Sequence, residues 1–237
     1  MIRHAFAAEI RPGCFNEFRR TLGRVWPDAA ATLDRYGVKN FSLWTVDSIV
    51  FGYYESPSDE EETDVSVELS GGRALLGPSF QREIDEDTAE AVLEILQPFG
   101  GLVDWISDPV HDMRLMYHDF GVVRENKELI RHRVFVTRLK GAYEEEYKHR
   151  HDGLVETRGT VIDPGPDSNF SIWNAGGYIF GYDEIDVPME REQTAGGRKS
   201  TIDWETRMLE IMEWCTDDVD WITREHHSHI TRLAYHS

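Results

Sequence analysis

The chain carries one sequence pattern twice, and this constrains its fold more than any other feature. At an offset of 129, Asn40-Phe41-Ser42-Leu43-Trp44 is matched by Asn169-Phe170-Ser171-Ile172-Trp173, and Phe51-Gly52-Tyr53 by Phe180-Gly181-Tyr182. Phe6 and Phe135 keep that spacing, as do Phe18 and Tyr147. At an offset of 116, Leu93-Glu94-Ile95 matches Leu209-Glu210-Ile211, and Asp104-Trp105 matches Asp220-Trp221. The end blocks Arg114-Leu115-Met116-Tyr117-His118 and Arg232-Leu233-Ala234-Tyr235-His236 lie 118 apart. Ordered blocks of this kind identify a tandem duplication. The drop in offset means that the first copy holds extra residues ahead of its second helix.

Each copy is predicted to run β-α-β-β-α-β. In the first, residues 2–10 form a strand ended by Pro12-Gly13, and Phe15 to Tyr36 form a helix closed by Gly37. Pro27 falls inside that helix and is expected to kink it or split it. Asn40–Val46 and Ile49–Glu55 form a hairpin across Asp47-Ser48. Ser56–Asp64 is an acidic, solvated loop, Asp87–Leu96 the second helix, and Met113–Phe120 the last strand. The first copy is assigned to residues 1–122 and the second to 129–237, joined by the polar segment 123–128. Helices on one face of a small antiparallel sheet leave its other face to be covered. Two copies can cover each other sheet to sheet, as a pseudo-dimer made from one chain.

Composition excludes several function classes. Lys plus Arg number 25 against 44 Asp plus Glu, for a net charge of −19. Nucleic acid and anionic membranes need basic patches, so neither is an expected partner. Cys14 and Cys215 stand far apart, outside any disulfide or zinc pattern. There is no signal-like segment, and no apolar run approaches the roughly 18 residues of a membrane span. The expected location is the cytoplasm. His226, His227 and His229 lack a recognised ligand set, so no metal is expected, and no glycine cluster forms a phosphate loop.

The stretch Tyr143–Asp152 is the one that suggests chemistry. As a helix it places Tyr143, Tyr147 and His151 along one face, four residues apart, with Glu144, Glu145, Glu146, Lys148 and Arg150 on the other side. An ordinary core stripe is aliphatic. The duplication supplies an internal comparison, because the same face in copy one is Cys14, Phe18 and Leu22. A unit of this kind therefore folds without Tyr147 and His151, although such a face also suits a helix packed at a boundary. Trp44, Trp173, Trp105 and Trp221 fit core positions as well as ligand contacts. Arg131 and Arg133 can either pair with the acidic helix or reach a ligand hydroxyl.

Several of these residues resemble the L-rhamnose mutarotase family. They are Met1-Ile2-Arg3-x-Ala5-Phe6, Val25-Trp26-Pro27, Tyr36-Gly37-x-x-Asn40-Phe41-Ser42-Leu43, and Glu145-Glu146-Tyr147-x-x-x-His151-Asp152 in copy two. The resemblance implies an α+β fold of two ferredoxin-like βαββαβ units, packed sheet to sheet as a pseudo-dimeric α/β barrel that can associate further. It implies a cofactor-free isomerase that exchanges the anomers of a free monosaccharide by opening and reclosing the ring. On this resemblance His151 is the catalytic proton shuttle, a role suited to a group that titrates near neutrality. Tyr147, Phe170 and Trp221 take substrate-binding positions. Phe170 stands where the family carries a tyrosine, so a hydroxyl is missing. Copy one, with Phe18 and Leu22 at the matching positions, is the degenerate, structural half. Two further readings stay open: a non-catalytic sugar-binding or regulatory barrel, and another dimeric α/β-barrel enzyme, such as a cofactor-free monooxygenase or a haem-handling protein.

Overall fold

Alternating runs of β-branched and aromatic residues, punctuated by Gly, Asn and Asp turns, dictate two antiparallel sheets. The computed structural model describes residues 1–57, 65–69, 72–76, 84–110, 113–119, 122–123, 127–158, 165–216 and 230–237. The first half contains β1 (Ile2–Ile10), α1 (Phe15–Arg35), β2 (Lys39–Val46), β3 (Ile49–Ser56), β4 (Val65–Leu69) and β5 (Gly72–Leu76). It continues with α2 (Glu86–Leu96), β6 (Val103–Trp105), β7 (Arg114–Asp119) and β8 (Val122–Val123). The second half contains β9 (Ile130–Leu139), α3 (Glu144–Arg158), β10 (Asp167–Ala175) and β11 (Tyr178–Asp186). It ends with α4 (Ala195–Met208), β12 (Met212–Thr216) and β13 (Thr231–His236).

The two sheets have the same plan. One runs β13-β2-β3-β1-β6 and the other β7-β10-β11-β9-β12, while β4, β5 and β8 form a small third sheet. In each large sheet the four inner-to-edge strands, β6-β1-β3-β2 and β12-β9-β11-β10, have the ferredoxin-like order. The fourth strand of the first unit is therefore β6 rather than the expected 113–120 segment. That segment, as β7, pairs beside β10 in the other sheet, and β13 reciprocally pairs beside β2. The compact units follow this exchange: Met1–Glu62, Ser79–Arg114 and Thr231–Ser237 form one, and Thr63–Pro78 with Leu115–Ile230 the other. Each of the two large sheets has five strands, one more than a single copy was expected to supply.

The repeated residues are those that packing dictates. A Cβ on Gly52 would lie 2.1 Å from the Phe6 ring, and one on Gly181 would lie 2.0 Å from the Phe135 ring. Only a glycine lets each phenylalanine lie flat across the neighbouring strand. Asn40 and Asn169 both take a left-handed backbone, at φ 53° and 51°, which Asn tolerates better than most residues. Each Asn side chain donates to a buried glutamate, Asn40 to Glu55 and Asn169 to Glu184, both at 3.0 Å. Tyr53 and Tyr182 donate to the same two carboxylates, at 2.9 and 3.1 Å. Both copies thus satisfy one buried acid by the same pair of donors.

The helix α1 buries Phe18 and Leu22 against Phe6, Phe41, Leu43 and Phe99 in an apolar cluster. Fully burying such side chains stabilises by roughly 1.5–3 kcal/mol each. Pro27 does not divide the helix, which runs from Phe15 to Arg35 as one element. Among the described residues no helix is long and apolar enough to cross a membrane.

Candidate functional site

Helix α3 has no aliphatic stripe to hold it, so its surface is fixed by charge. Lys148 reaches Asp152 and Arg150 reaches Glu146, each at 2.7 Å and one turn apart. Glu144, Glu145 and Glu146 sit in the first turn, where the helix dipole favours acids. Arg150 also donates to the Arg207 carbonyl at 2.5 Å, tying α3 to the last turn of α4. Tyr143 remains exposed, while Tyr147 and His151 are both buried.

Tyr147 and His151 form one wall of a cavity of about 310 Å3 inside the second unit. The sheet supplies Tyr117, Arg133, Phe135, Phe170, Ile172 and Trp214; α4 and the residues near it supply Gln193, Thr201, Trp204, Glu205 and Met208. The imidazole of His151 stacks on Tyr147 at 4.4 Å between ring centres. It meets Trp204 edge-on at 5.1 Å and Tyr117 at 5.4 Å. Phe170 closes the row, 5.6 Å from Tyr117. An aromatic box lined by a few polar tips is the usual make-up of a small-molecule pocket.

The protonation states follow from burial and one hydrogen bond. His151 Nδ1 lies 2.9 Å from the Tyr147 carbonyl oxygen. A carbonyl only accepts, so Nδ1 carries the hydrogen and Nε2 is left as the proton acceptor. Burial lowers the His151 pKa to about 4, against an upward pull from that carbonyl, so the ring is neutral at pH 7. The Tyr147 phenol is held well above its ordinary range, first by burial and then by the nearby charge of Glu205. It stays protonated and able to donate.

A charged pair sits on the same face of the sheet. Arg133 on β9 is in register with Asp183 on β11, and an Arg133 Nη lies 2.9 Å from an Asp183 oxygen. Asp183 is fully buried, and burial pushes its carboxyl pKa up while Arg133 pulls it down. Arg131 instead pairs with Glu190 at 2.6 Å. Neither arginine takes the acidic helix as its partner, because the acids next to them in the strands and in the following loop are closer.

With this geometry in place, a sequence model of the L-rhamnose mutarotase family matches residues 3–70 and 132–233, most of the chain. The chain belongs to the L-rhamnose mutarotase family. It is 34% identical over 62 residues to the L-rhamnose mutarotase of Tolumonas auensis, a stretch covering 25% of this chain and 60% of that protein. It is 30% identical over 61 residues to that of Pectobacterium carotovorum (25% and 59%), and 31% identical over 62 to that of Escherichia coli O8 (25% and 60%). The match thus spans less than two thirds of each curated relative's length. No solved structure matches the chain significantly. The second matched segment contains the whole α3 and α4 contribution to the cavity. The first contains the copy of L-rhamnose mutarotase type in which Phe18 and Leu22 replace Tyr147 and His151.

Of the four residues singled out from sequence, His151, Tyr147 and Phe170 line one cavity. Trp221, like His226, His227 and His229, lies outside the described residues. Strand register brings in a different tryptophan. Trp214 pairs with Thr137 on β9 as Trp105 pairs with Ala8 on β1. Each meets the equivalent phenylalanine edge-on, Trp214 with Phe135 at 5.8 Å and Trp105 with Phe6 at 6.1 Å. Identity matching had aligned Trp105 with Trp221, and only pairing reveals Trp214. Sequence reasoning also missed Tyr117, Trp204 and Glu205. The signal for Tyr117 was the repeated Arg-x-x-Tyr-His block; Trp204 and Glu205 have no counterpart in copy one, where Thr88 and Ala89 stand at the same offset as Leu93 and Leu209.

Proposed function

We propose that this chain interconverts the α and β anomers of a free aldose such as L-rhamnose, with His151 as the proton shuttle in the second unit's cavity. Opening the ring requires removal of the proton on the anomeric hydroxyl while the C1–O5 bond breaks and O5 gains a proton. Rotation about the freed C1–C2 bond and reclosure on the other face give the second anomer. His151 Nε2 takes the anomeric proton, because its ring is neutral and its other nitrogen is tied to a carbonyl. The imidazolium so formed passes that same proton on to O5, so one group serves both transfers, and the reverse sequence recloses the ring. Tyr147 keeps its hydrogen and donates to a sugar oxygen, and Trp204 offers a ring to the sugar's C–H surface. No cofactor is needed for this sequence of steps.

The observation that carries the reading is the buried, neutral, singly tethered His151 facing a cavity of monosaccharide size. It agrees with family membership and with the loss of both polar groups in copy one. Exchange-spectroscopy NMR of anomer interconversion tests it. His151→Ala is expected to lower the rate by about 10²–10⁴-fold, the usual share of one acid–base group. A full rate in that variant refutes the assignment.

A further inference from the structure

The cavity contains a cationic group that acid–base ring opening leaves without a task. Arg133 lines it, with its guanidinium 5.9 Å from the centre of the Phe170 ring. Asp183 lies behind Arg133 at 2.9 Å, and Asp167 lies 3.9 Å away. The Asp183 contact is an ion pair without hydrogen-bond alignment, and neither Asp183 oxygen is hydrogen-bonded among the described residues.

A pair of a fully buried acid and a half-buried arginine without hydrogen-bond alignment is a poor stabiliser, because desolvating the acid offsets the attraction. Copy one shows that the fold does not need it. At the same two strand positions it has His4 and Tyr54, which pair in register and stack at 4.6 Å with planes 17° apart. The Tyr54 hydroxyl donates to the Pro109 carbonyl at 3.2 Å, and His4 bonds Ser56 at 2.8 Å. That aromatic stack holds a sheet of the same strand order. The charged pair therefore marks a demand of the cavity rather than of the sheet.

We propose that Arg133, oriented by Asp183, is a hydroxyl-binding subsite that selects an uncharged sugar presenting two neighbouring ring oxygens. The nature of the ligand rests on the mutarotase reading. A guanidinium offers several N–H groups in one plane, which suits two adjacent oxygens better than a point charge does. Asp183 and Asp167 flank the guanidinium, and Glu205 adds a third acid to the surroundings. A sugar carboxylate or phosphate would enter against these acids, whereas hydroxyl oxygens only need donors. Phe170, which carries no hydroxyl, packs beside Arg133, so Arg133 supplies the donors on that wall.

Binding and turnover are measured separately to test the proposal. Titration calorimetry on the His151→Ala protein reads binding of L-rhamnose, its monodeoxy analogues and D-galacturonate without interconversion. Adding Arg133→His with Asp183→Tyr, the pair that copy one already accommodates, is expected to weaken L-rhamnose at least tenfold. It should also erase the penalty for one of the monodeoxy analogues. Arg133→Lys, which keeps the charge but loses the fork, is expected to fall in between and gives an answer if the double exchange fails to fold. Unchanged L-rhamnose affinity in a folded Arg133 variant overturns the subsite, as does tighter binding of D-galacturonate than of L-rhamnose by the parent protein. In proteins with His151 intact, the Arg133 change should raise KM with kcat nearly kept. If the parent binds L-rhamnose through Arg133 but never interconverts it, the mutarotase reading fails and the subsite stands. If the double exchange leaves interconversion and KM unaltered, the subsite fails and the mutarotase reading stands.

Discussion

The two units share a strand order, a Gly–Phe contact across strands and a buried Asn–Glu–Tyr network, yet at the matching positions between helix and sheet one is filled by apolar side chains and the other is hollow. In the first, Phe18, Leu22 and Phe41 form one apolar cluster, and Trp26 lies against it with its ring 6.0 Å from Phe41. In the second, the matching residues are Tyr147, His151, Phe170 and the exposed Val155, and a cavity remains. Identical positions are used where backbone geometry leaves no choice, and different ones where the choice is between packing and chemistry. The filled unit is thus a control for the hollow one. Whatever copy two has that copy one lacks is not required by the fold.

The largest effect should come from giving copy two the copy-one residue at the shuttle position. His151→Leu is expected to lower the interconversion rate by about 10²–10⁴-fold, by the same NMR exchange measurement. It should also make the protein more resistant to acid. An imidazole with a pKa of about 4 when folded and 6.5 when unfolded binds its proton first in the unfolded chain. Above pH 6.5 neither state is protonated and nothing is lost; from 6.5 down to 4 the parent loses stability, by roughly 3 kcal/mol in all. The leucine variant has no such loss, so urea midpoints of the two proteins should diverge across that window. Parallel curves would mean that His151 is not buried and neutral.

The reverse exchange breaks the comparison from the other side. Leu22→His with Phe18→Tyr puts a polar pair into a packed apolar cluster. The expected cost is about 3 kcal/mol of unfolding free energy, because the new groups are buried without partners, and no second active site should appear. Activity arising in the first unit of a His151→Ala background would show that the filled copy is not committed to structure.

These contrasts also explain what could be read from the chain alone. The shared strand plan was legible because Gly52 and Gly181, or Asn40 and Asn169, sit where other residues would clash or strain, so the same residues recur. Tyr147 and His151 were legible as a departure from the apolar face that copy one retains. The strand exchange was not legible, and the reason is symmetry. The segments Arg114–His118 and Arg232–His236 resemble each other, so β7 beside β10 and β13 beside β2 present the same residue types as an unexchanged pairing would. Trp214 was hidden because its equivalence to Trp105 lies in cross-strand register, not in identity. Trp204 and Glu205 were hidden because the helix that carries them has diverged from α2, leaving no repeat to compare.

The smallest expected effect concerns the plug itself. Trp26 in copy one corresponds to Val155 in copy two, one turn beyond His151. Val155→Trp places an indole on the helix face that Trp26 uses to pack against Phe41, where it can lean toward Phe170 and shrink the cavity. Val155 is 39% exposed, so the substitution disturbs little existing packing, and stability should stay within about 0.5 kcal/mol. The site should instead lose substrate affinity, with KM raised about tenfold, equivalent to roughly 1.4 kcal/mol. Because His151 and its carbonyl tether are untouched, the rate at saturating sugar should change little. Steady-state polarimetry on freshly dissolved sugar separates the two parameters. A fall in kcat at constant KM would mean that the indole disturbs His151 rather than filling space, and that copy one is hollow-proofed by Phe18 and Leu22 alone.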